Sequence, residues 1–504
     1  MSKKKEKNKN IYFVGLKGVG LTMLAQFLAS RGNKVSGSDI KDVFLTDKVL
    51  RDAKIKVFSP FDARNIPDKL DRLIYSTAYN FQNNPELAFV KNNPARFKNV
   101  RVLSYPEALG EIFNQYYGLA VCGSHGKTTV TAWLGYVLWC AGKKPNVLVG
   151  SRVPQFKGSS LVGQAKYFVA EVDEYQNKLK YFQPRGVVLN NIDYDHPDYF
   201  KTPAAYTKVF ADFVKKIPAR GFLVVSRRDQ EIRKIKRHNR GRTISYDLVT
   251  GASIAANKMS VITEILAADY LAYDWQKENG RQFFRVVCRG EGKGGRSAKY
   301  LGRFEIALWG EHNILNALAV IATARELQVP LSAIKKHLAA FRGTERRAQI
   351  LGKYRGTLLI DDYAHHPTEI RETLKGLRDR YPDRKILTVF HPHTFTRTKA
   401  FFADFARSFI ISDELIILDI YGSAREKQGG TSSRQLAAAV RVHNRNHGIV
   451  QTVKHIPSMT AAVKYLKNKL GNGDLLLLMG AGDVFRVGDR LLSSYARNKK
   501  QPTR

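Results

Sequence analysis

A three-domain α/β fold, with parallel sheets covered by helices, is what this sequence predicts, and three observations carry the expectation. The chain has 504 residues, and at about 100–200 residues per domain that makes about three units. Two separate stretches, residues 11–28 and 119–140, run from an apolar strand through a glycine loop into a helical pattern. From residue 358 onwards, short apolar strands alternate with helical patterns once more, the first of them ending in acids. With 44% hydrophobic and 11% aromatic residues the chain has ample material for cores, which excludes a wholly disordered protein.

In the first unit, placed at residues 1–115, the strand Ile11-Tyr12-Phe13-Val14 leads into Gly15-Leu16-Lys17-Gly18-Val19-Gly20 and a helix over 21–28. A second strand ends in an acid, Asp39. That order opens a Rossmann-like, nucleotide-binding sheet. The glycines are displaced from the dinucleotide spacing. A dinucleotide, a bare structural turn and another pyrophosphate ligand at the helix N-terminus therefore stay open, the last fitting best. Further strands are expected at 55–58, 72–76 and 101–103.

The second unit, 116–340, reads as a P-loop-type ATPase α/β domain. Behind a strand at 119–122 stands the loop Gly123, Ser124, His125, Gly126, Lys127, Thr128, Thr129, then a helix over 130–140. Glycines let backbone N–H groups turn towards phosphate oxygens, Lys127 reaches the β- and γ-phosphates, and a threonine hydroxyl suits Mg2+. Val121 stands where the full Walker pattern has its first glycine. Strands follow at 167–171, 186–189 and 222–225, then an irregular β-rich stretch at 243–304 and a helix over 312–326. The acidic clusters at 171–174 and 190–196 offer the oxygen donors and the histidine that a Mg2+–ATP site needs. Polar residues at the start of the 312–326 helix read as caps, through Glu311 or Asn313.

The third unit, 341–504, is a further Rossmann-like α/β domain, with strands at 358–362, 386–390, 414–418 and 474–479 and helices at 367–379 and 400–408. Two polar runs, 361–369 and 391–398, sit at carboxyl ends of strands, where such sheets bind ligands. They make a second substrate pocket. A zinc site from His365, His366, His391 and His393 is a minor alternative without cysteine or carboxylate support.

Charge is the oddest global property: 83 Lys+Arg against 44 Asp+Glu, a net +39. This invites a nucleic-acid reading. Residues 215–242 alone hold eleven Lys/Arg and two acids, yet no aromatic platform or known recognition motif accompanies them, so no specific nucleic acid is expected. Three scattered cysteines, Cys122, Cys140 and Cys288, form neither a disulfide framework nor a zinc set, which favours a reducing, cytoplasmic setting. Apolar runs such as 132–140 and 475–479 are far too short for a membrane span. The basic start, 1–10, reads as a solvated tail rather than a signal peptide.

The order of these motifs, from Ile11 to Asp483, resembles the Mur ligases of peptidoglycan synthesis. The most specific pieces are 123–129, 171–174, 191–196, 312–317, Arg346-Arg347 and 361–369, with 391–398 and 421–429 behind them. The resemblance implies that the first domain holds a UDP-sugar, the second ATP, and that the third helps admit an amino acid. It implies ATP- and Mg2+-dependent amide formation. The lactyl carboxylate of UDP-N-acetylmuramate takes the γ-phosphate as an acyl phosphate, and the amine of L-alanine displaces it. Thr128, Glu171 and His196 would bear on magnesium. Asn313, Arg347 and Asp362 would hold the nucleotide together with the 123–129 loop. Tyr363, His365, His393 and Arg397 would line the alanine pocket, Arg397 meeting the carboxylate. Gly15, Gly18, Gly20, Asp39, Ser76 and Thr77 would hold the uridine diphosphate. Lys127, His196 and Arg397 are the expected catalytic residues.

Three departures stand out. Thr394 replaces a basic residue common in the family, Ser59-Pro60-Phe61 replaces a Gly-His pair beside the UDP-sugar, and Ala211 stands where related ligases carry a carbamylated lysine. Two other readings are a family member adding a whole tripeptide to the same sugar and, in a different class, a basic nucleic-acid-binding ATPase. The excess charge suits a polyanion-crowded cytosol or weak association with the anionic inner membrane face. The sequence leaves the oligomeric state open.

Overall fold

The computed structural model describes residues 8–44, 46–249, 267–292, 295–422, 426 and 428–500. Most of the basic 1–10 tail, the last residues of the chain, part of the 243–304 stretch and part of the 421–429 run lie outside the described residues.

Three sheets form among the described residues. The first has five parallel strands in the order Lys56–Phe58, Lys34–Ser38, Asn10–Val14, Arg72–Tyr75, Arg101–Ser104. Its core strand reads Ile-Tyr-Phe-Val and is buried on both faces, as a parallel sheet requires. The helix Val19–Ser30 leaves this sheet and packs on the edge of the next one, Phe27 meeting Phe168 with ring centroids 5.5 Å apart. Arg31 closes the same seam, its Nη2 donating to Asn146 Oδ1 and to the Gly163 carbonyl.

The central sheet has ten strands. Six run parallel in the order Arg242–Leu248, Phe222–Ser226, Gly186–Leu189, Tyr117–Cys122, Tyr167–Glu171, Asn146–Val153. The hairpin strand Gly158–Leu161 closes one edge. On the other, Tyr270–Glu278 adds in parallel and an antiparallel ribbon, Arg281–Gly292 and Gly295–Ile306, follows it. Register sets the chemistry here, because Val188 pairs Val121, Leu189 pairs Cys122 and Val121 pairs Glu171. The loops after these strands therefore emerge side by side.

The third sheet orders Gln349–Tyr354, Thr357–Asp362, Leu475–Met479, Ile386–Phe390, Glu414–Ile417, Thr452–His455. Asp362 and Phe390 both pair Met479, so the loops starting at 363, 391 and 480 form one cluster.

The structure corrects several local expectations. Gln349–Tyr354 is an antiparallel edge strand, so the third sheet is not wholly parallel; a tight turn at Arg355-Gly356, both with positive φ, folds it back. The strand Asn146–Val153 and its hairpin partner were not legible: Gly150-Ser151-Arg152 breaks the apolar run of the first, and the second, at the sheet edge, reads Gly-Ser-Ser-Leu. The single helix expected at 400–408 is two pieces, Phe395–Ala400 and Phe402–Ala406, started earlier by the Thr394 side chain, which caps the Arg397 N–H. No side chain caps the helix Glu311–Glu326. Gly310 occupies the cap position, Glu311 pairs with Arg228 and Lys375, and Asn313 Nδ2 donates to the Trp309 carbonyl.

Trp133 joins helix to helix under the central sheet. It is fully buried, stacks on Phe341 at 5.4 Å, and its Nε1–H donates to the Leu338 carbonyl. Trp133→Ala should lower unfolding free energy by about 3–5 kcal/mol, read from urea denaturation; a loss under about 1 kcal/mol would show that the Trp133 pocket collapses without penalty.

Candidate active site

The loop after Cys122 is shaped for an anion. Gly126 has φ +78, and a Cβ there would stand 2.8 Å from Asn316 Oδ1; one at Gly123 would stand 2.7 Å from the Asn191 carbonyl. Only glycine takes both positions, and the helix Lys127–Cys140 starts directly behind, its free N–H groups facing the loop. Ser124 Oγ donates to the Asp193 carbonyl, and the His125 N–H donates to Asn191 Oδ1, which ties the loop to the neighbouring strand end.

Lys127 Nζ donates to the carbonyls of Gly123 and Ser124 and to Glu174 Oε2 at 3.1 Å. Glu174 is 1% exposed. It also accepts from Tyr206 Oη at 3.0 Å and lies 3.5 Å from His196 Nε2. Burial alone would push Glu174 up, but Lys127 and His196 together outweigh it and hold the carboxyl below its usual range. Burial likewise disfavours the Lys127 ammonium, and the carboxylates of Glu174, Asp173 and Glu171 more than restore it. Asp173, beside Lys178 and Lys127, is held at about 2 against its burial.

The metal set expected from sequence divides into two. Thr128 Oγ1 donates to Glu171 Oε1 at 2.9 Å. His196 instead joins Asp173 and Glu174, the ligand atoms of the three lying within 4.8 Å of one another. Oxygen-rich donor sets of this kind fit Mg2+. The four histidines raised for zinc do not converge: His366 faces His125, His391 packs on Tyr421, and His365 meets His393 edge-on.

A cavity of about 590 Å³ opens between the central and third sheets, lined by His125, Asn190, Asn313, Asn316, Arg347 and Asp362 among others. Asn313, Arg347 and Asp362 thus share one wall system with the glycine loop. Asp362 accepts from the N–H groups of Ala348 and Ala364, and burial raises it although Arg347 opposes. Asn190 Oδ1 faces this region buried and without a partner, an acceptor available to a ligand.

Beside the cavity, Tyr363, His365, His393 and Arg397 come together. Tyr363 and His365 rings are 5.2 Å apart. Arg397, which the resemblance assigns to the incoming carboxylate, has part of its fork engaged. It already grips Asp195, Nε donating to Oδ1 at 2.9 Å and Nη2 to Oδ2 at 3.2 Å, while Nη1 lies 3.3 Å from His393 Nδ1. Burial, and then Arg397, lower His393 to about 4; burial takes His365 to about 3. Both imidazoles are neutral.

In the first sheet, Gly15 (φ +83) opens the loop and a Cβ there would strike Tyr79 and Ser76. Gly18 sits at the cap of the helix Val19–Ser30, and a Cβ on Gly20 would meet Tyr105 at 2.8 Å. Asp39 serves the loop itself: it accepts from the backbone N–H groups of Lys17 and Ile40. Ser59, of the tripeptide replacing the expected Gly-His pair, donates to the Asp39 carbonyl at 3.0 Å. The Ser76 N–H donates to the Val14 carbonyl, and Thr77 follows it at the same strand end. Ala211 is buried in the helix Pro203–Val214, whose Tyr206 reaches Glu174 instead.

Asp195, Tyr206 and Glu369 were missed as functional candidates. Asp195 and Glu369 stood inside polar runs with no mark separating them from neighbours, and Tyr206 carried no signal at all.

Comparison with known proteins follows the same division. Three family models match: "Mur ligase family, catalytic domain" at residues 10–117, "Mur ligase middle domain" at 121–324 and "Mur ligase, glutamate ligase domain" at 346–482. A UDP-N-acetylmuramate–L-alanine ligase of Desulfitobacterium hafniense is 37% identical over 485 residues, covering 96% of this chain and 99% of its own. A protein of the same description from Clostridium acetobutylicum is 35% identical, covering 97% and 99%. Among solved structures, a UDP-N-acetylmuramate–alanine ligase of Thermotoga maritima has the same fold, with TM-score 0.76 at 23% identity, over 97% of this chain and 100% of that one. A murein peptide ligase of Psychrobacter arcticus gives 0.70 at 22% identity, over 97% and 99%. The chain belongs to the Mur ligase family.

His125 bridges two sheets, its Nε2 2.9 Å from Asp193 Oδ2 and Nδ1 3.3 Å from Glu369 Oε1. Burial would lower this imidazole, but those two hydrogen-bonded carboxylates lift it to about 9. Because the folded value lies above the unfolded one, the stabilisation is complete below about pH 6.5 and disappears as pH rises through 9. The difference in melting temperature between wild type and His125→Gln should therefore shrink from pH 7 to pH 10. A difference that stays constant over that range would rule out the charged bridge.

Proposed function

We propose that this protein is an ATP-dependent ligase joining L-alanine to the lactyl carboxylate of UDP-N-acetylmuramate. The observation that carries the reading is the meeting of two unlike strand-end clusters around one cavity: a phosphate-binding loop with Lys127 on one sheet, and the Tyr363, His365, His393, Arg397 group on the other. The full-length relatives at 37% and 35% identity, both named as alanine ligases, support it. The tripeptide-adding alternative has only a likeness of fold on its side.

In this reading residues 1–115 hold the UDP-sugar, 116–340 the nucleotide, and 341–504 admit the amino acid. Lys127, now balanced by Glu174, exchanges that partner for the oxygens of the transferring phosphoryl group, so the charge that develops there meets an ammonium already in place. Magnesium, when bound by Thr128 and Glu171 and by the Asp173–Glu174–His196 cluster, supplies neutralisation of the phosphate oxygens. The carboxylate of the lactyl group is phosphorylated first, and the amine then displaces phosphate; the protein's part is to hold both nucleophiles in line in turn. Arg397, fixed by Asp195, keeps the Nη1 side of its fork near His393, where the alanine carboxylate fits. The neutral His365 and His393 let an incoming amine arrive without repulsion.

Two experiments test this. Incubation with ATP, Mg2+, UDP-N-acetylmuramate and L-alanine should give a product heavier than the UDP-sugar by one alanine residue; use of L-Ala-γ-D-Glu-diaminopimelate alone would sink the assignment, and ATPase activity raised by RNA but not by the UDP-sugar would transfer the protein to another class. Lys127→Ala should lower kcat by at least about 10³-fold with an unchanged circular dichroism spectrum. Turnover near the wild-type rate would place the γ-phosphate elsewhere.

A further inference from the structure

The two ends of the central parallel sheet differ in charge. The carboxyl ends of its strands carry the glycine loop and the acids described above. At the amino ends, the segments 114–116, 142–145, 163–166, 182–185, 215–221 and 236–241 hold ten Lys/Arg and no Asp or Glu. Backbone hydrogen bonds fix these segments in one row. The Ala165 N–H donates to the Lys144 carbonyl, Tyr117 N–H to Lys166, Arg185 N–H to Gly118, Phe222 N–H to Arg185 and Arg242 N–H to Gly221. Six strands at about 4.8 Å spacing make a row about 24 Å long.

Along it Lys144, Lys166, Arg185, Arg220, Lys236, Arg237 and Arg240 are exposed, and none has an ion-pair partner among the described residues. Helix macrodipoles do not account for them. Four helices, Lys127–Cys140, Pro203–Val214, Gln230–Ile235 and Glu311–Glu326, do end at this edge and favour cations there. The acids they bring, Asp212 and Glu326, are already paired with Lys208 and Lys215 and with Arg242. But Lys166 and Arg185 follow no α-helix, and the row is cationic at their strands too. Substrate capture does not account for them either, because the cavity lies beyond the opposite end of strands of about five residues, some 17 Å away.

We propose that this edge is a docking face for an anionic lipid bilayer. The row is the tips of loops rather than a groove, which suits a planar array of headgroups. Its tyrosines sit under lysines, Tyr117 and Tyr167 beneath Lys166 and Tyr181 beneath Lys180, at 5.8, 5.3 and 4.9 Å. Rings covered in this way are not free to stack bases, as a single-stranded nucleic acid would require, while paired Tyr and Lys belong at a headgroup boundary. Docked by this edge, the protein turns its nucleotide cavity towards the aqueous side.

The test is co-sedimentation of the full chain with vesicles of phosphatidylglycerol and phosphatidylcholine at 1:1, and of phosphatidylcholine alone. Binding should occur only to the anionic vesicles at about 50 mM salt and be lost at about 500 mM. Each cation near a bilayer is worth about fivefold in partitioning, so Arg185→Glu, Arg220→Glu and Arg240→Glu together should lower it by at least about a hundredfold. An equal charge change elsewhere, Arg434→Glu, Arg445→Glu and Lys464→Glu, should lower it by less than about tenfold. Melting curves check that both variants fold, and the Gln series replaces the Glu series if the first does not. Equal losses in the two variants, no binding to anionic vesicles, or retention by single-stranded RNA in place of vesicles would each overturn the proposal.

Discussion

Two ions can leave water together only if each is held by the other, and here the two come from different sheets. Asp195 follows a strand of the central sheet, Arg397 lies in the helix after a strand of the third, and both are almost fully buried. Desolvation makes either one alone expensive, so the bidentate contact brings the two parts to one relative position. The same seam contains Thr368 Oγ1 donating to Asp193, His366 against the Tyr194 carbonyl, and His125 between Asp193 and Glu369. The cavity exists because these contacts close one side of it and leave the other open.

A second constraint is the density of carboxylates near the glycine loop. Glu171, Asp173 and Glu174 crowd one strand end, balanced by Lys127, Lys178 and His196 and by hydrogen bonds from the Thr128 and Tyr206 hydroxyls and the Gly150 N–H. The arrangement is a charge-balanced site, and in the proposed function its cation changes partner when the nucleotide binds. Like-charge crowding that would destabilise an ordinary loop gives, in the proposed function, the oxygen donors that magnesium needs.

Much of the site was legible because its residues sit at fixed offsets from strand ends. The 123–129 loop, the 171–174 acids and the 361–369 and 391–398 runs all stand where register puts ligand-binding loops. What the pattern could not show was which neighbour each side chain chooses. Arg397 was expected to meet substrate, and part of its fork is committed to Asp195. His196 was expected to bear on magnesium together with Thr128 and Glu171 and lies with Glu174, and Asp39, expected at the uridine diphosphate, also braces its own loop. Each choice is decided by distances between residues far apart in the chain.

The sequence by itself determined three α/β units, the order of their strands and helices, and the loops that carry the chemistry, because apolar periodicity and glycine placement act over a few residues. It also set the charge of +39, but not where that charge would stand. Only the tertiary structure decided that the acids of the candidate site gather at one end of the central sheet and a row of exposed cations at the other. Parallel pairing aligns all the strand starts on one edge, and no local pattern records that alignment.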